Sequence, residues 1–165
     1  MVWGIPEYRL PREALKKDIE FIQRLGVEIK TSTPIGAEVT LDDLFDQEFK
    51  AIFLGVGAQK SMKLGIEGEN LEGVIHGVDC LRDINAGKDV FLGDQVAVIG
   101  GGNVAIDVAR SAIRKGSKEV LIIYRRSRKE MPALEEEIIE AEEEGVKINY
   151  LAAPKRILEK NGKVA

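Results

Sequence analysis

Cysteine and histidine each occur once in this 165-residue chain, at Cys80 and His76. A single thiol excludes an intramolecular disulfide, a Cys-x-x-Cys exchange centre and an iron–sulfur cluster held by cysteines of this chain. Cys80 is expected as a small buried residue of a helix. His76 has no second histidine or nucleophile at a telling spacing, so it reads as a loop or helix-entry residue and no metal site is expected. Aromatic residues make up only 5% and do not interleave with basic ones, and 24 Lys and Arg against 28 Asp and Glu leave a net charge of −4. Neither base stacking nor a basic field therefore points to nucleic acid. No apolar run approaches the roughly 18 residues of a membrane span, and the N-terminus lacks the layout of a secretion signal. A cytoplasmic location is expected. What remains, 44% hydrophobic and 32% charged, is the balance of an ordinary globular chain.

The densest information lies between Gln95 and Arg126. The apolar run Val96-Ala-Val-Ile99 meets Gly100-Gly-Gly102-Asn-Val-Ala105, a helix-like stretch runs to Gly116, and Val120-Leu-Ile-Ile-Tyr124 follows. Strand, glycine turn, helix and strand in that order fit the dinucleotide fingerprint Gly-x-Gly-x-x-Ala in the context that gives it meaning. Gly100 permits the tight turn, and Gly102 lets backbone N–H groups approach a pyrophosphate without a Cβ in the way. Ala105 lets the helix pack close to the strand. The unpaired amides and peptide dipoles of the helix start favour an anion there. Gly100, Gly101, Gly102, Asn103, Val104 and Ala105 are thus the candidate pyrophosphate site. Ala105, Val108, Ala109 and Ala112 recur at helical spacing as the buried face, with Asp107, Arg110 and Arg114 expected elsewhere.

The end of the second strand distinguishes the dinucleotides. An NAD site places Asp or Glu there, roughly 20 residues past the glycines, to bond the adenosine ribose hydroxyls. This chain has Arg125 and Arg126, followed by Arg128 and Lys129. A planar guanidinium pairs bidentately with the 2′-phosphate that distinguishes NADP, so NADP(H) is the expected nucleotide. No Tyr and Lys pair at helical spacing suggests a dehydrogenase acting directly on a substrate. No catalytic acid, base or nucleophile is nominated. A nucleotide-sensing or assembly module without turnover is the alternative reading.

Elsewhere the patterns describe a second α/β unit. Pro11 opens a helix with Leu15, Ile19, Ile22 and Leu25 on one face, ended by Gly26. Val27–Thr31 alternates as a half-buried strand, Thr40 resembles a helix N-cap, and the almost wholly apolar Lys50–Val56 suits a parallel strand covered on both faces. Residues 59–72 read as connecting chain. A helix near Val78–Asn85 precedes the dinucleotide strand. A second, after Met131-Pro-Ala133, ends at Gly145, with Leu134, Ile138, Ile139 and Ala141 as its buried face and a glutamate-rich solvated one. Val146–Tyr150 is a third strand. Arg156–Lys160, Asn161-Gly162 and a short returning arm form a hairpin; an arm of about three residues leaves ladder groups unpaired, so the chain is expected to belong to a longer polypeptide. The fold class is α/β, with Rossmann-like parallel sheets and flanking helices, and incompletely covered strands would promote self-association.

The spelling of several stretches carries more than their pattern. Gly4-Ile-Pro-Glu-Tyr-Arg-Leu-Pro11, Phe53-Leu-Gly-Val-Gly-Ala58, Gly100-Gly-Gly-Asn-Val-Ala-Ile-Asp107, Tyr124-Arg-Arg-Ser127 and Met131-Pro-Ala133 together resemble the glutamate synthase small subunit and its FAD-dependent pyridine nucleotide oxidoreductase relatives. The resemblance implies that residues 1–72 are the later part of an FAD-binding domain and 73–165 the first half of an NADPH-binding Rossmann domain. It assigns Gly100 to Ala105 to the NADPH pyrophosphate, Arg125 and Arg126 to the 2′-phosphate, and Gly57 with Ala58 to a strand end beside the flavin. There the family usually writes Ala-Thr-Gly and this chain writes Gly55-Val56-Gly57. Related reductases that write His-Arg-Arg-x-x-x-Arg differ as well, with Tyr124 and Glu130 in place of the first and last residues. The implied activity is hydride transfer from NADPH to FAD, then electron passage to iron–sulfur clusters outside this chain. The implied partners are the rest of the flavoprotein and a catalytic subunit.

Overall fold

The structure is a computed structural model that describes residues 1–57 and 60–165, so Ala58 lies outside the described residues. Contacts divide the chain into two compact units, Met1–Leu10 with Lys60–Ala165, and Pro11–Gln59.

The larger unit is built on one parallel sheet in the order β1-β2-β3, formed by Gln95–Ile99, Glu119–Tyr124 and Lys147–Tyr150. Helix α4, Asn103–Arg114, connects β1 to β2, and α5, Glu135–Glu143, connects β2 to β3. These are the βαβ connections that the alternation of apolar strands and amphipathic helices anticipated. The core forms where α4 meets the sheet: Ile106, Ala109, Ala112, Val120 and Ile122 are wholly buried, joined by Ile138 and Ala141 of α5. Each fully buried isoleucine contributes roughly 1.5–3 kcal/mol by leaving water. Helix α3, Gly77–Asn85, packs on α4 and buries Cys80 and Leu81; His76 is its N-cap residue, at the helix entry. The C-terminal hairpin pairs β4, Glu159–Lys160, with β5, Lys163–Val164, about Asn161 and Gly162, both at positive φ. The two positive φ values match the turn that Asn-Gly favours. This hairpin bridges back to the connecting chain at Glu67 and Glu72.

The other unit contains α1, Arg12–Arg24, and α2, Leu41–Asp46, which opens with a capping box between Thr40 and Asp43. Three expectations fail here. Residues 27–31 and 50–56 form no ladder among the described residues, and of the proposed α1 face only Leu15 is buried, with Leu25 68% exposed. The physical reason is a want of cover. Apolar patterning specifies which side of a segment wants cover, but a strand exists only where a neighbouring strand pairs with it in a ladder and a helix face is buried only where something covers it; among the described residues no ladder includes 27–31 or 50–56.

Two further corrections concern the larger unit. In α5 the buried residues are Ile138 and Ala141, whereas Leu134 and Ile139 are 55% and 43% exposed. In α4 the expected face is buried, but so are Asp107 and Arg110. Residues 8 and 9, the glutamates of α5 and its C-cap residue Glu144 surround the polar side of α4. Arg9 binds Asp107 at 2.8 Å and Glu137 at 2.8 Å, and Arg110 binds Glu137, Glu140 and Glu144, each at 2.7 Å. The glutamates are therefore not simply a solvated face. The guanidinium groups of Arg110 and Arg114 lie over the Tyr8 ring at 4.6 and 4.1 Å, a favourable cation–π geometry.

Candidate functional site

The glycine turn and the arginines meet because the sheet is parallel and in register. Ile99 pairs with Ile123, and the next amide, that of Gly100, donates to the Ile123 carbonyl at 3.1 Å. Adjacent strands lie roughly 4.8 Å apart, so the chain leaves β1 into the glycines and β2 into Arg125 at the same carboxyl edge of the sheet. Ligands of open α/β sheets bind outside such an edge.

Each glycine has its own role. Gly100 sits at φ 144°, and a Cβ there would touch the Ala105 Cβ at 3.4 Å, so turn and helix are packed as closely as the small residue at 105 allows. A Cβ on Gly101 would lie 2.5 Å from the Tyr124 ring, closer than carbon atoms approach. A Cβ on Gly102 would meet, among the described residues beyond its chain neighbours, Pro132 Cγ alone within 4 Å, at 3.9 Å, so the space above this residue is open. Gly102 is also the N-cap of α4 and provides no side-chain acceptor. The amides of Gly101, Gly102, Asn103 and Val104 meet no protein acceptor among the described residues, whereas those of Ala105 and Ile106 turn back to the Gly102 carbonyl. Asn103 and Val104 are exposed. Unpaired amides, an uncapped helix N-terminus and a missing Cβ make a seat for a diphosphate.

The loop after β2 is fastened beside this seat. The Ala133 amide donates to the Gly101 carbonyl at 3.1 Å and the Leu134 amide to Asn103 Oδ1 at 3.2 Å. Tyr124, 8% exposed, donates from its hydroxyl to the Glu130 carbonyl oxygen at 2.7 Å. The two positions that depart from the His-Arg-Arg spelling are thus bonded to one another. The Glu130 carboxylate in turn accepts from the Ser127 amide and hydroxyl at 3.1 and 2.9 Å, which holds its pKa below the usual range.

The four basic residues of this loop are not equivalent. Arg128 is committed to Glu142 and Glu135 at 2.7 and 2.9 Å, and these hydrogen bonds raise its pKa further. Arg125 and Arg126 are exposed and make no side-chain hydrogen bond or ion pair among the described residues. Their guanidinium donors are available to an incoming anion, and those of Arg128 are occupied. Sequence reasoning had no signal for this distinction, because the carboxylates that hold Arg128 lie 7 and 14 residues away. It also missed the tie from Asn103 to Leu134 and the ring above Gly101. Gly57, at φ 67°, belongs to the other unit and lies on no strand.

The pattern describing the pyridine nucleotide-disulphide oxidoreductases matches residues 6–165. The chain belongs to this family. Among curated members, it is 46% identical over 164 residues to the beta subunit of the NADP(+)-dependent formate dehydrogenase of Moorella thermoacetica, covering 98% of this chain and 23% of that protein. It is 35% identical over 177 residues to the Escherichia coli glutamate synthase [NADPH] small chain, covering 100% of this chain and 37% of that one. The chain thus spans between about a quarter and two fifths of the length of these pyridine nucleotide-disulphide oxidoreductase relatives. FprA of Mycobacterium tuberculosis, solved in complex with NADPH, superposes with a TM-score of 0.76 over 98% of this chain and 52% of its own, at 20% identity. At that identity the likeness speaks for the Rossmann-like fold alone.

Proposed function

We propose that this chain forms the NADP(H)-binding part of an FAD-dependent oxidoreductase, which passes a hydride from NADPH to FAD and electrons onward to iron–sulfur clusters or a partner subunit. The observation that carries the reading is the juxtaposition at one sheet edge of an open, uncapped helix N-terminus and two guanidinium groups that make no hydrogen bond or ion pair among the described residues. Gly100, Gly101, Gly102, Asn103, Val104 and Ala105 hold the pyrophosphate, with the amides of residues 101–104 as donors. Arg125 and Arg126 receive the 2′-phosphate. The open space at Gly102, which a Cβ would enter, fits this group.

The nicotinamide nucleotide, when bound, supplies the hydride, and the chain's own work is to hold and orient it. No acid or base of this chain is assigned a part in the chemistry. Residues 1–72 are read as the later part of the FAD-binding domain, with Gly57 and Ala58 at its flavin end, and 73–165 as the first half of the NADPH-binding domain. The names of the relatives, two of which carry NADP(H), support the choice of nucleotide. Cluster-bearing and catalytic partners would be provided outside these residues, in the cytoplasm; no described helix is long and apolar enough to cross a membrane.

Isothermal titration with NADPH, NADH and FAD side by side tests the proposal. NADPH is expected to bind more tightly than NADH, and Arg125→Ala with Arg126→Ala is expected to abolish that preference. Equal affinities in the unaltered chain would refute the assignment of the arginines.

A further inference from the structure

Tyr124 lies where the two halves of the proposed site adjoin. Its ring fills the space beside Gly101 so closely that no Cβ fits between them. Its hydroxyl leaves the core and bonds the Glu130 carbonyl. Phenylalanine would fill the same volume, so packing alone does not account for the hydroxyl. What the hydroxyl reaches is the far end of the loop that carries Arg125 and Arg126. That loop is closed on itself by Glu130 accepting from Ser127, and the segment after it is tied to the glycine turn through Ala133 and Leu134. The main chain on either side of the arginines is also held, since the Tyr124 carbonyl accepts from the Ala152 amide and the Arg126 carbonyl from the Leu151 amide, both at 3.1 Å. Among the described residues the arginine side chains make no hydrogen bond or ion pair, and Arg126 acts on Glu130 only through its charge, so their aim depends on how firmly this loop is held.

We propose that Tyr124 is a positioning residue for nucleotide discrimination: its ring braces the pyrophosphate turn, and its hydroxyl fixes the loop that directs Arg125 and Arg126 at the adenosine 2′-phosphate. The inference rests on the reading of the site as one for NADP(H). It separates two effects within one side chain. The ring serves both nucleotides alike, because both carry the pyrophosphate. The hydroxyl serves the phosphorylated one alone.

Tyr124→Phe removes the hydroxyl and keeps the ring. Titration of this variant is expected to show NADPH bound roughly threefold to tenfold more weakly, the range one net hydrogen bond spans, with NADH affinity unchanged. In the Arg125→Ala, Arg126→Ala background the same substitution is expected to change NADPH affinity no further, since the groups it aims are gone. A merely structural tyrosine would weaken both nucleotides equally and would do so with or without the arginines; either result overturns the proposal. Hydrogen exchange without nucleotide gives a second readout. Tyr124→Phe is expected to hasten exchange at residues 127–131 and to leave 105–114 unchanged, and unaltered exchange at 127–131 overturns the proposal as well. If the unaltered chain binds both nucleotides equally, the reading of the site fails and the discriminating role falls with it, while faster exchange in the variant would still uphold the coupling of the hydroxyl to the loop.

Discussion

Gly101 and Gly102 are neighbours of the same residue type, yet they answer to different constraints. Gly101 has no room for a Cβ because a buried tyrosine ring occupies the place; Gly102 has room that the protein leaves empty. Substitution by alanine separates the two. Gly101→Ala forces the ring or the turn to move and is expected to lower stability by about 1–3 kcal/mol, the usual cost of overpacking, and to weaken NADPH and NADH together. Gly102→Ala is expected to leave urea unfolding nearly unchanged while weakening both nucleotides, since the added methyl stands where the pyrophosphate would lie. Identical stability losses for the two variants would show that the division between a packed and a cleared glycine is wrong. The fingerprint itself was readable because turn, strand and helix signals fall within a few residues of one another. The Tyr124 contact was not, because a ring 23 positions further along enters the turn only once β1 and β2 are paired.

Helix α4 shows where helical patterning stops being informative. Ala105, Val108, Ala109 and Ala112 mark a buried stripe, and the structure buries all four. Asp107 and Arg110 read as the outward side and are 3% and 4% exposed. Their partners are 98 residues away for Asp107 and 27 to 34 for Arg110, separations at which no local pattern operates. Removing one member of a buried ion network leaves the others unpaired, which costs about 3–5 kcal/mol. Arg110→Gln is expected toward the lower end of that range in denaturant unfolding, because Glu144 keeps Arg114 at 2.6 Å. A loss below about 1 kcal/mol would place Arg110 among ordinary surface pairs.

The same network has an acid signature. Burial raises the Glu144 carboxyl, but hydrogen bonds donated by Arg110 and Arg114 outweigh it and hold the group below its usual range. A carboxyl depressed in the native state binds more protons when unfolded, so its stabilisation is complete above about pH 4.3 and is lost as pH falls through the native value. Asp107 has the opposite sign. Burial is foremost and raises its pKa despite Arg9, so its contribution is present at low pH and fades as pH rises through the raised value. The acid limb of the stability profile is therefore expected to flatten in Arg110→Gln, and an unchanged limb would remove Glu144 from the account.

At the scale of the whole molecule, most of what was legible lies in the larger unit and the failed strands lie in the other. The three-stranded sheet and α4 follow from the sequence because their apolar faces find cover among the described residues, and the Asn-Gly hairpin follows from its turn, whereas half of the expected α5 face, Leu134 and Ile139, stays exposed. Residues 27–31 and 50–56 have equally clear apolar patterns and form no ladder among the described residues, and Phe53 is 95% exposed. Such residues, with Phe91 at 87% and Met62 at 93%, favour association between copies. Light scattering over rising concentration is expected to give an increasing mean mass, and a constant mass equal to one chain would refute this.

The ion pairs of Arg9 join the first ten residues to two helices about a hundred positions later and beyond, while the stretch immediately after them belongs to the other unit. An experimenter who cuts the polypeptide at a point where the linear order suggests a boundary would discard that decapeptide. Asp107 would then keep its burial and lose its hydrogen-bonded counter-charge, and Arg110 and Arg114 would lose the tyrosine on which they rest. The excised piece would carry its whole fingerprint and yet fold less securely than its parent, for want of a strap that lies far from the fingerprint in the linear order.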